Sequence, residues 1–197
     1  MCGLNSGYDA AVAAIDAANS ADPTSISVRG QQLPLAFAHG RLAAEWIVSL
    51  HGSDDDLLLL AARAHHLRRW ELPRTSYPEG RAGYLVWKRD QRQRHATDVA
   101  VLLVAAGYSP AEIERVQALV RRDRLATDAG SQAVEDAACL VFIETQLADL
   151  NRRLDHNLLI SVLRKTARKL SPAGAAAIAD IPLGATERAV LAEALGG

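Results

Sequence analysis

The chain has 197 residues, of which 49% are hydrophobic. This length and apolar fraction suffice for one well-buried core, whereas two full domains would need a longer chain, so we expect a single domain over 1–197. The 22 basic and 23 acidic residues give a net charge of −1, which removes any global electrostatic argument for a nucleic-acid or membrane partner.

The cysteines and the N-terminus bear on the compartment. Cys2, near the N-terminus, and Cys139, in an apolar run, make a poor disulfide framework and suit a reducing compartment. We expect Cys139 to be a buried thiol. The N-terminus lacks a basic region followed by a long apolar stretch, and no window offers the roughly 18 uncharged apolar residues of a membrane span. The sequence therefore predicts a cytoplasmic protein.

Helix-favouring residues recur at helical spacing, and valine and isoleucine rarely alternate as a strand would require, so the predicted class is all-α. The first helix is expected over 8–19, because Asp22 and Pro23 are typical of a helix stop. The polar stretch 24–32 is expected to form a short extended turn. A second helix then runs over 34–50.

Ser53 followed by Asp56 is typical of a helix N-terminus and predicts a third helix that carries His65 and His66 and ends before Pro73. Its acidic start also favours the helix dipole. Adjacent helical residues point about 100° apart, so only one of the two histidines is expected to face a common site. We favour His66.

Local signals place the remaining helices. The proline-containing segment 73–80 is expected to be a loop, and a fourth helix over 81–106, closed by Gly107, places His95 inside a helix. A capping serine, a first-turn proline and a reaching glutamate within 109–112 predict a fifth helix. This helix ends near 122, and further helices are expected at 131–150 and 156–170, with two short ones beginning near 171 and 186.

Imidazole and carboxylate side chains fall on separate predicted helices, and helix bundles build metal sites from side chains on facing helices. Nitrogen and oxygen donors of this kind bind divalent metals. The candidate metal ligands are His39, His65, His66, His95 and Asp136. The alternative for any isolated buried histidine is a hydrogen-bonded core residue. We expect His51 and His156, which lie beside a turn and a helix start, to be surface residues.

Arginines flank the histidine pair and the proline loop, where guanidinium groups can bind a substrate phosphate in bidentate fashion. The candidate phosphate-binding residues are Arg68, Arg69, Arg74 and Arg81. The candidate catalytic residues are Glu71 and Arg69, with Glu71 accepting a proton from metal-bound water or orienting a histidine. A solvated arginine face with structural ion pairs to Glu71 is the alternative.

Aromatic side chains and a second basic cluster complete the candidates. The aromatic residues around the proline loop can either form a pocket wall or pack in the core and the loop. They are Trp70, Tyr77, Tyr84 and Trp87. The second basic cluster is expected to be a solvated helix face rather than a nucleic-acid contact, and consists of Arg164, Lys165, Arg168 and Lys169. No glycine-rich phosphate loop, no Cys-x-x-Cys pair and no nucleophile elbow occurs in the sequence.

A long central motif reads Ala61-Ala62-Arg63-Ala64-His65-His66-Leu67-Arg68-Arg69-Trp70-Glu71-Leu72-Pro73-Arg74. It is followed by Ser76-Tyr77-Pro78, Arg81-Ala82-Gly83-Tyr84, Glu135-Asp136-Ala137-Ala138-Cys139-Leu140-Val141-Phe142 and Leu163-Arg164-Lys165-Thr166. These motifs resemble the DUF4202 family over most of the chain. This resemblance names a family and not a reaction.

The order of His39, the His65-His66 pair, His95 and Asp136 resembles the metal-dependent histidine-aspartate (HD) phosphohydrolases. This resemblance implies an HD-like helical bundle, with short C-terminal helices from about 155, that hydrolyses a small phosphorylated metabolite or nucleotide. The implied cofactor is a divalent ion such as Mn, Fe, Ni, Zn or Co. Where that superfamily has a His-Asp pair, this chain has two histidines, which leaves the identity, number and occupancy of the metal open.

Two alternatives stay open at this stage. One is an iron-dependent oxygenase on the same helical frame, since histidine-rich relatives of the HD superfamily hold two irons. The other is a non-catalytic metal-binding or regulatory module that has lost the aspartate of the usual pair and uses the basic helix at 164–169 as its partner surface. The sequence leaves the oligomeric state open.

Overall fold

The structure, a computed structural model, describes residues 6–52 and 54–196. Its elements in chain order are α1 (Ser6–Ser20), β1 (Ser25–Val28), β2 (Gln31–Pro34), α2 (Leu35–His51), α3 (Asp56–Arg63), α4 (Gly80–Ala105), α5 (Pro110–Arg121), α6 (Ala129–Arg153), α7 (His156–Ala167), α8 (Pro172–Ala177) and α9 (Ala185–Gly196). Short 3-10 turns follow α3 and α8. Helices make up nearly all of the regular structure, which confirms the all-α class.

The stretch predicted as a short extended turn is a β-hairpin. Strands β1 and β2 pair antiparallel, with Ser25 opposite Pro34 and Val28 opposite Gln31. The two residues between them, Arg29 and Gly30, have positive φ angles of 49° and 81°. Such angles at both central positions suit a tight two-residue hairpin turn, and glycine adopts them without a steric penalty.

The core lies where α2 packs on α3 and α6 and where α5 packs on α3 and α4. Its largest fully buried side chains include Ile47, Leu60, Leu103, Leu119 and Leu140. Cys139 is a buried free thiol, as predicted, and burial raises its pKa to about 11; Cys2 lies outside the described residues. Within the described ranges, no helix is both long enough and apolar enough to cross a membrane.

Local capping signals set several helix ends where the sequence predicts them. The hydroxyl of Ser109 and the carboxylate of Glu112 form the reciprocal capping box of α5, with Pro110 in the first turn. Gly107, at φ 84°, follows the end of α4. The observed cap of α3 is Asp55, whose side chain accepts the Leu58 N–H. The predicted cap Ser53 lies outside the described residues.

The prediction that α3 continues through the histidine pair is wrong. The helix ends at Arg63, and His65 and His66 lie in the turn that follows it. At this end α2 approaches so closely that a Cβ on Gly40 would lie 2.5 Å from the Arg63 carbonyl oxygen. Glycine, which lacks a Cβ, permits this approach. The carbonyl of Ala62, freed at the end of the helix, accepts a hydrogen bond from the His65 ring, and this bond favours the turn over the helix that the alanine- and leucine-rich sequence predicts.

Candidate functional site

A cavity of about 1050 Å³ is bounded by residues of α2, α4, α6 and α7 and of the turn after α3. All four histidines predicted as metal ligands lie on its wall: His39 from α2, His65 and His66 from the turn, and His95 from α4. We call these four residues the histidine cluster. Because the chain leaves the helical path at Arg63, both members of the pair reach the cavity, whereas a continuous helix would have pointed them apart.

His66 lies at the centre of the histidine cluster. Its ring centroid is 4.0 Å from that of His65, 5.3 Å from that of His39 and 6.1 Å from that of His95. The Nδ1 atoms of His39 and His66 are 3.1 Å apart. The four imidazoles therefore form one contiguous group.

Backbone carbonyls fix the tautomers of two of these rings. The Nδ1 of His65 is 2.7 Å from the carbonyl oxygen of Ala62, and the Nδ1 of His95 is 2.7 Å from that of Leu67. A carbonyl only accepts, so each Nδ1 carries the hydrogen and each Nε2 of the neutral ring has a free lone pair. Both Nε2 atoms are buried and have no hydrogen-bond partner. Unpaired buried polar atoms are rare and call for a ligand or water.

A threonine fixes the tautomer of His39. The hydroxyl of Thr145 donates to the carbonyl oxygen of Val141 at 2.7 Å, so its oxygen accepts from the His39 Nε2–H at 3.1 Å. The Nδ1 of His39 is then the atom with the lone pair, and it faces His66. This lone pair accepts the Nδ1–H of His66. Neighbours thus hold three of the four rings in a defined tautomer, and the Nε2 atoms of His65 and His95 are left free to accept a proton or bind a metal.

The histidine cluster is uncharged near neutral pH. Burial lowers the pKa of all four rings, to about 4 for His39 and to about 3 for His95. The positive charge of Arg69 lowers the pKa of His39, His66 and His95 further. Neutral imidazole is the form that binds metals.

The rest of the cavity wall is strongly cationic. Its arginine and lysine residues are Arg69, Arg81, Lys88, Arg92, Arg122, Lys165 and Lys169. Within the described part of the chain, the lining has a single carboxylate, Glu135. This group lies 2.7 Å from Arg122, 3.0 Å from Arg92 and 3.9 Å from Lys169, and these charges hold its pKa below the usual value although burial alone would raise it.

The family model described as "Domain of unknown function (DUF4202)" matches residues 9–191. The chain belongs to the DUF4202 family. No curated protein and no solved structure matches it. The long central motif of this DUF4202 domain supplies His65, His66 and Arg69 to the cavity wall, and the later motifs supply Glu135 and Lys165. The central motif and the later motifs therefore contribute side chains to the same cavity.

Two of the four predicted phosphate-binding arginines line the cavity of the DUF4202 domain. Arg69 is mostly buried, and its guanidinium lies 4.6 Å from the centroid of the Trp87 ring. Arg81 is exposed, near the start of α4. Of the aromatic residues considered for a pocket wall, Tyr84 and Trp87 also line the cavity. A guanidinium stacked on an aromatic face keeps its N–H groups in a defined plane, which suits the binding of phosphate oxygens.

The structure places three other predicted residues away from the cavity wall. Arg74 donates to the carbonyls of Tyr77, Pro78 and Gly80 and holds the loop before α4 in shape. The carboxylate of Glu71 forms an ion pair with Arg94. The backbone N–H of Arg68 binds Asn19, and this residue has a left-handed backbone. None of them is part of the cavity lining.

The predicted ligand Asp136 is not brought to the histidine cluster either. Its carboxylate accepts from the backbone N–H and the hydroxyl of Ser171 and from the side chain of Gln132. Its neighbour Glu135 faces the cavity instead. Across residues 6–52 and 54–196, no three histidine, cysteine or acidic side chains are arranged to hold a metal ion. Metal binding therefore stays a prediction.

Several cavity residues were missed by the sequence reasoning. Lys88, Arg92 and His95 are spaced by four and three residues on α4, which places them on one helix face. The helical periodicity of the sequence could have identified Lys88 and Arg92, because they share a helix face with a histidine that was predicted to be in the site. Thr145 had no such signal, since its contact with His39 joins residues 106 positions apart.

Proposed function

We propose that the cavity binds a small phosphorylated metabolite or nucleotide and that this chain hydrolyses its phosphate ester with the help of a divalent metal. The observation that carries the proposal is the joint make-up of the cavity wall, which combines four uncharged imidazoles with seven cationic side chains and one carboxylate. Such an excess of positive charge in a concave site favours a multiply charged anion. Arginine is well suited to phosphate because its fork binds two oxygens.

The donor chemistry of the histidine cluster fits a divalent metal. The unpaired nitrogens are the Nε2 atoms of His65 and His95, and the lone pair of the His39 Nδ1 faces the Nδ1 of His66. The Nδ1 atoms of His39 and His66 are 3.1 Å apart, and two nitrogens on one tetrahedral zinc ion at about 2.0–2.1 Å lie about 3.3 Å apart. A full ligand set requires the other rings to turn towards the same point. When bound, the metal would lower the pKa of a water molecule and so supply a nucleophile.

The chain's own residues would prepare the phosphate for attack. Arg69 is the cation beside the histidine cluster and orients the phosphate against it. Burial is the larger cause of the low pKa of His39 and His95 and the charge of Arg69 the next, so a bound dianion that offsets Arg69 raises the pKa of these rings. A ring that does not bind metal would accept the proton of the attacking water as its oxygen bonds to phosphorus, and would pass the proton to the alcohol oxygen that leaves as the ester P–O bond breaks. The choice of hydrolysis rests on the resemblance to HD phosphohydrolases, which is an analogy.

The experiment combines metal analysis with a substrate screen. The full chain is purified without added metal, its metal content is measured, and phosphate esters and nucleotides are screened with Mn, Fe, Ni, Zn and Co ions. We expect turnover that is lost in His66→Ala and in His95→Ala. The matched control is His51→Ala, which removes an exposed histidine that is not part of the cavity lining.

The outcomes separate the functions. Turnover that depends on both cluster histidines supports hydrolysis. If the protein contains stoichiometric iron, consumes oxygen and releases no phosphate, the iron-dependent oxygenase replaces hydrolysis as the function. Absence of turnover across the screen, or turnover unchanged in both cluster variants, overturns the proposed function and leaves a non-catalytic module.

A further inference from the structure

The cavity extends well beyond the histidine cluster. His95 and Lys88 both line it and are seven residues apart on α4, which corresponds to about 10 Å along the helix axis. Beyond the histidines the wall carries Lys88 and Arg92 from α4, Lys165 from α7 and Lys169 from the turn that follows α7. We call these four residues the cationic end.

The cationic end has more positive charge than its surroundings neutralise. In the part of the chain that the structure describes, the one carboxylate on the lining is Glu135, which already contacts Arg92, Arg122 and Lys169. Burial lowers the pKa of Lys88, and the nearby charges of Lys169 and Arg92 lower it further. Cations that depress each other's protonation in this way are stabilised by a bound anion.

The second basic cluster of the sequence divides at this point. Lys165 and Thr166 on α7, and Lys169 in the turn that follows it, line the cavity. All four residues of the basic cluster are exposed, but Arg164 and Arg168 are not part of the lining. Half of the basic cluster therefore belongs to the cavity wall, and the other half offers matched control positions at the same end of α7.

We propose that the cationic end binds a second anionic group of the ligand, so that the ligand class is a small metabolite with two separate phosphate groups. One phosphate then lies beside Arg69 at the histidine cluster and the other among the four residues of the cationic end. The inference rests on the proposed function for the placement of the first phosphate. The inference extends the proposed function by naming the number of phosphate groups on the substrate and the place that each occupies in the cavity.

The test is metal-free titration calorimetry of the full chain in a chelator, so that binding is measured without turnover. The probes are two pairs of compounds: fructose 1,6-bisphosphate with fructose 6-phosphate, and adenosine 3′,5′-bisphosphate with adenosine 5′-monophosphate. We expect at least one bisphosphate to bind about tenfold more tightly than its monophosphate partner. The double variant Lys165→Ala/Lys169→Ala is expected to abolish this preference while changing monophosphate affinity little. Arg168→Ala is expected to leave both affinities unchanged.

The inference is overturned if, in both pairs, the bisphosphate and the monophosphate bind equally tightly. It is also overturned if neither bisphosphate binds, or if the preference for a bisphosphate survives the double substitution. A failed substrate screen alone would remove the proposed hydrolysis and leave this binding result intact. Conversely, turnover of monophosphates with no preference for bisphosphates would remove the second phosphate site and leave the hydrolysis.

Discussion

The carboxylate of Asp136 on α6 accepts hydrogen bonds from both the backbone N–H and the hydroxyl of Ser171, the residue that caps α8. The same hydroxyl accepts the N–H of Gly174, and a Cβ at Gly174 would lie 2.7 Å from the Asp136 carboxyl carbon. The start of α8 is thereby fixed to the N-terminal third of α6. Asp136 acts as an anchor between helices.

We expect Asp136→Ala to lower the free energy of unfolding by about 2 kcal/mol, because the half-buried N–H and hydroxyl of Ser171 lose their acceptor. Urea unfolding of the metal-free protein measures this. Asp149→Ala, which removes an exposed carboxylate, serves as the control and is expected to change stability by less than about 0.5 kcal/mol. Loss of metal from Asp136→Ala at unchanged stability would show that Asp136 is a ligand after all.

Gly40→Ala is expected to disturb the histidine pair from the neighbouring helix. The added Cβ would lie 2.5 Å from the backbone oxygen of Arg63, so the end of α3 and the turn behind it must move. We expect a loss of about 1–3 kcal/mol in stability, measured by urea unfolding, and weaker phosphate binding. The control is Gly196→Ala in α9, where nothing lies within 4 Å of the added Cβ. An unchanged stability in Gly40→Ala contradicts the close approach of the two helices.

Thr145→Val tests the tautomer of His39. The hydroxyl that accepts the His39 Nε2–H is replaced by a methyl group of similar size, so the ring loses the partner that fixes its orientation. Nitrogen NMR of the metal-free protein is expected to show protonated Nε2 in the wild type and a mixture of tautomers in the variant. Metal affinity is expected to fall about 10- to 100-fold. Thr97→Val is the control, because its hydroxyl also donates to the carbonyl four residues earlier, that of Gln93, and it is exposed and not part of the cavity lining. A wild-type His39 protonated at Nδ1 contradicts the assignment.

The stability of the metal-free protein is expected to fall as the pH drops below about 6.5, the ordinary pKa of histidine. In that range the unfolded chain binds protons at the histidine cluster, whereas the folded chain binds none until the pH approaches about 4 for His39 and about 3 for His95. Each such ring lowers the free energy of unfolding by up to about 1.4 kcal/mol for each pH unit below about 6.5.

Urea unfolding between pH 7 and pH 5 measures this dependence. His95→Gln is expected to reduce the slope, and His51→Ala, at an exposed position, is expected to leave it unchanged. A free energy of unfolding that stays constant over this interval would mean that the rings of the cluster accept protons in the folded protein.

Local sequence signals determined the class and most of the helix boundaries of this protein. The capping box at Ser109 and Glu112, the glycine after α4 and the serine before α8 act within a few residues, so their effect can be predicted without knowing the fold. The four histidines were also identified as a group from residue type and from the resemblance. In the structure all four histidines line the same cavity.

Only the tertiary structure decided which side chains face that cavity. Glu135 and Asp136 are adjacent on α6 and point about 100° apart, so the packing of α6 against α8 sends one carboxylate to the cavity and the other to Ser171. At the C-terminal end of α7, the tertiary structure likewise places Lys165 and Lys169 on the cavity wall and leaves Arg164 and Arg168 off it. Gly40, which lacks a Cβ, lets α2 lie close to the end of α3, and the carbonyl of Ala62 bonds to the His65 ring. Contacts of this kind outweigh a helix propensity worth a few tenths of a kcal/mol per residue.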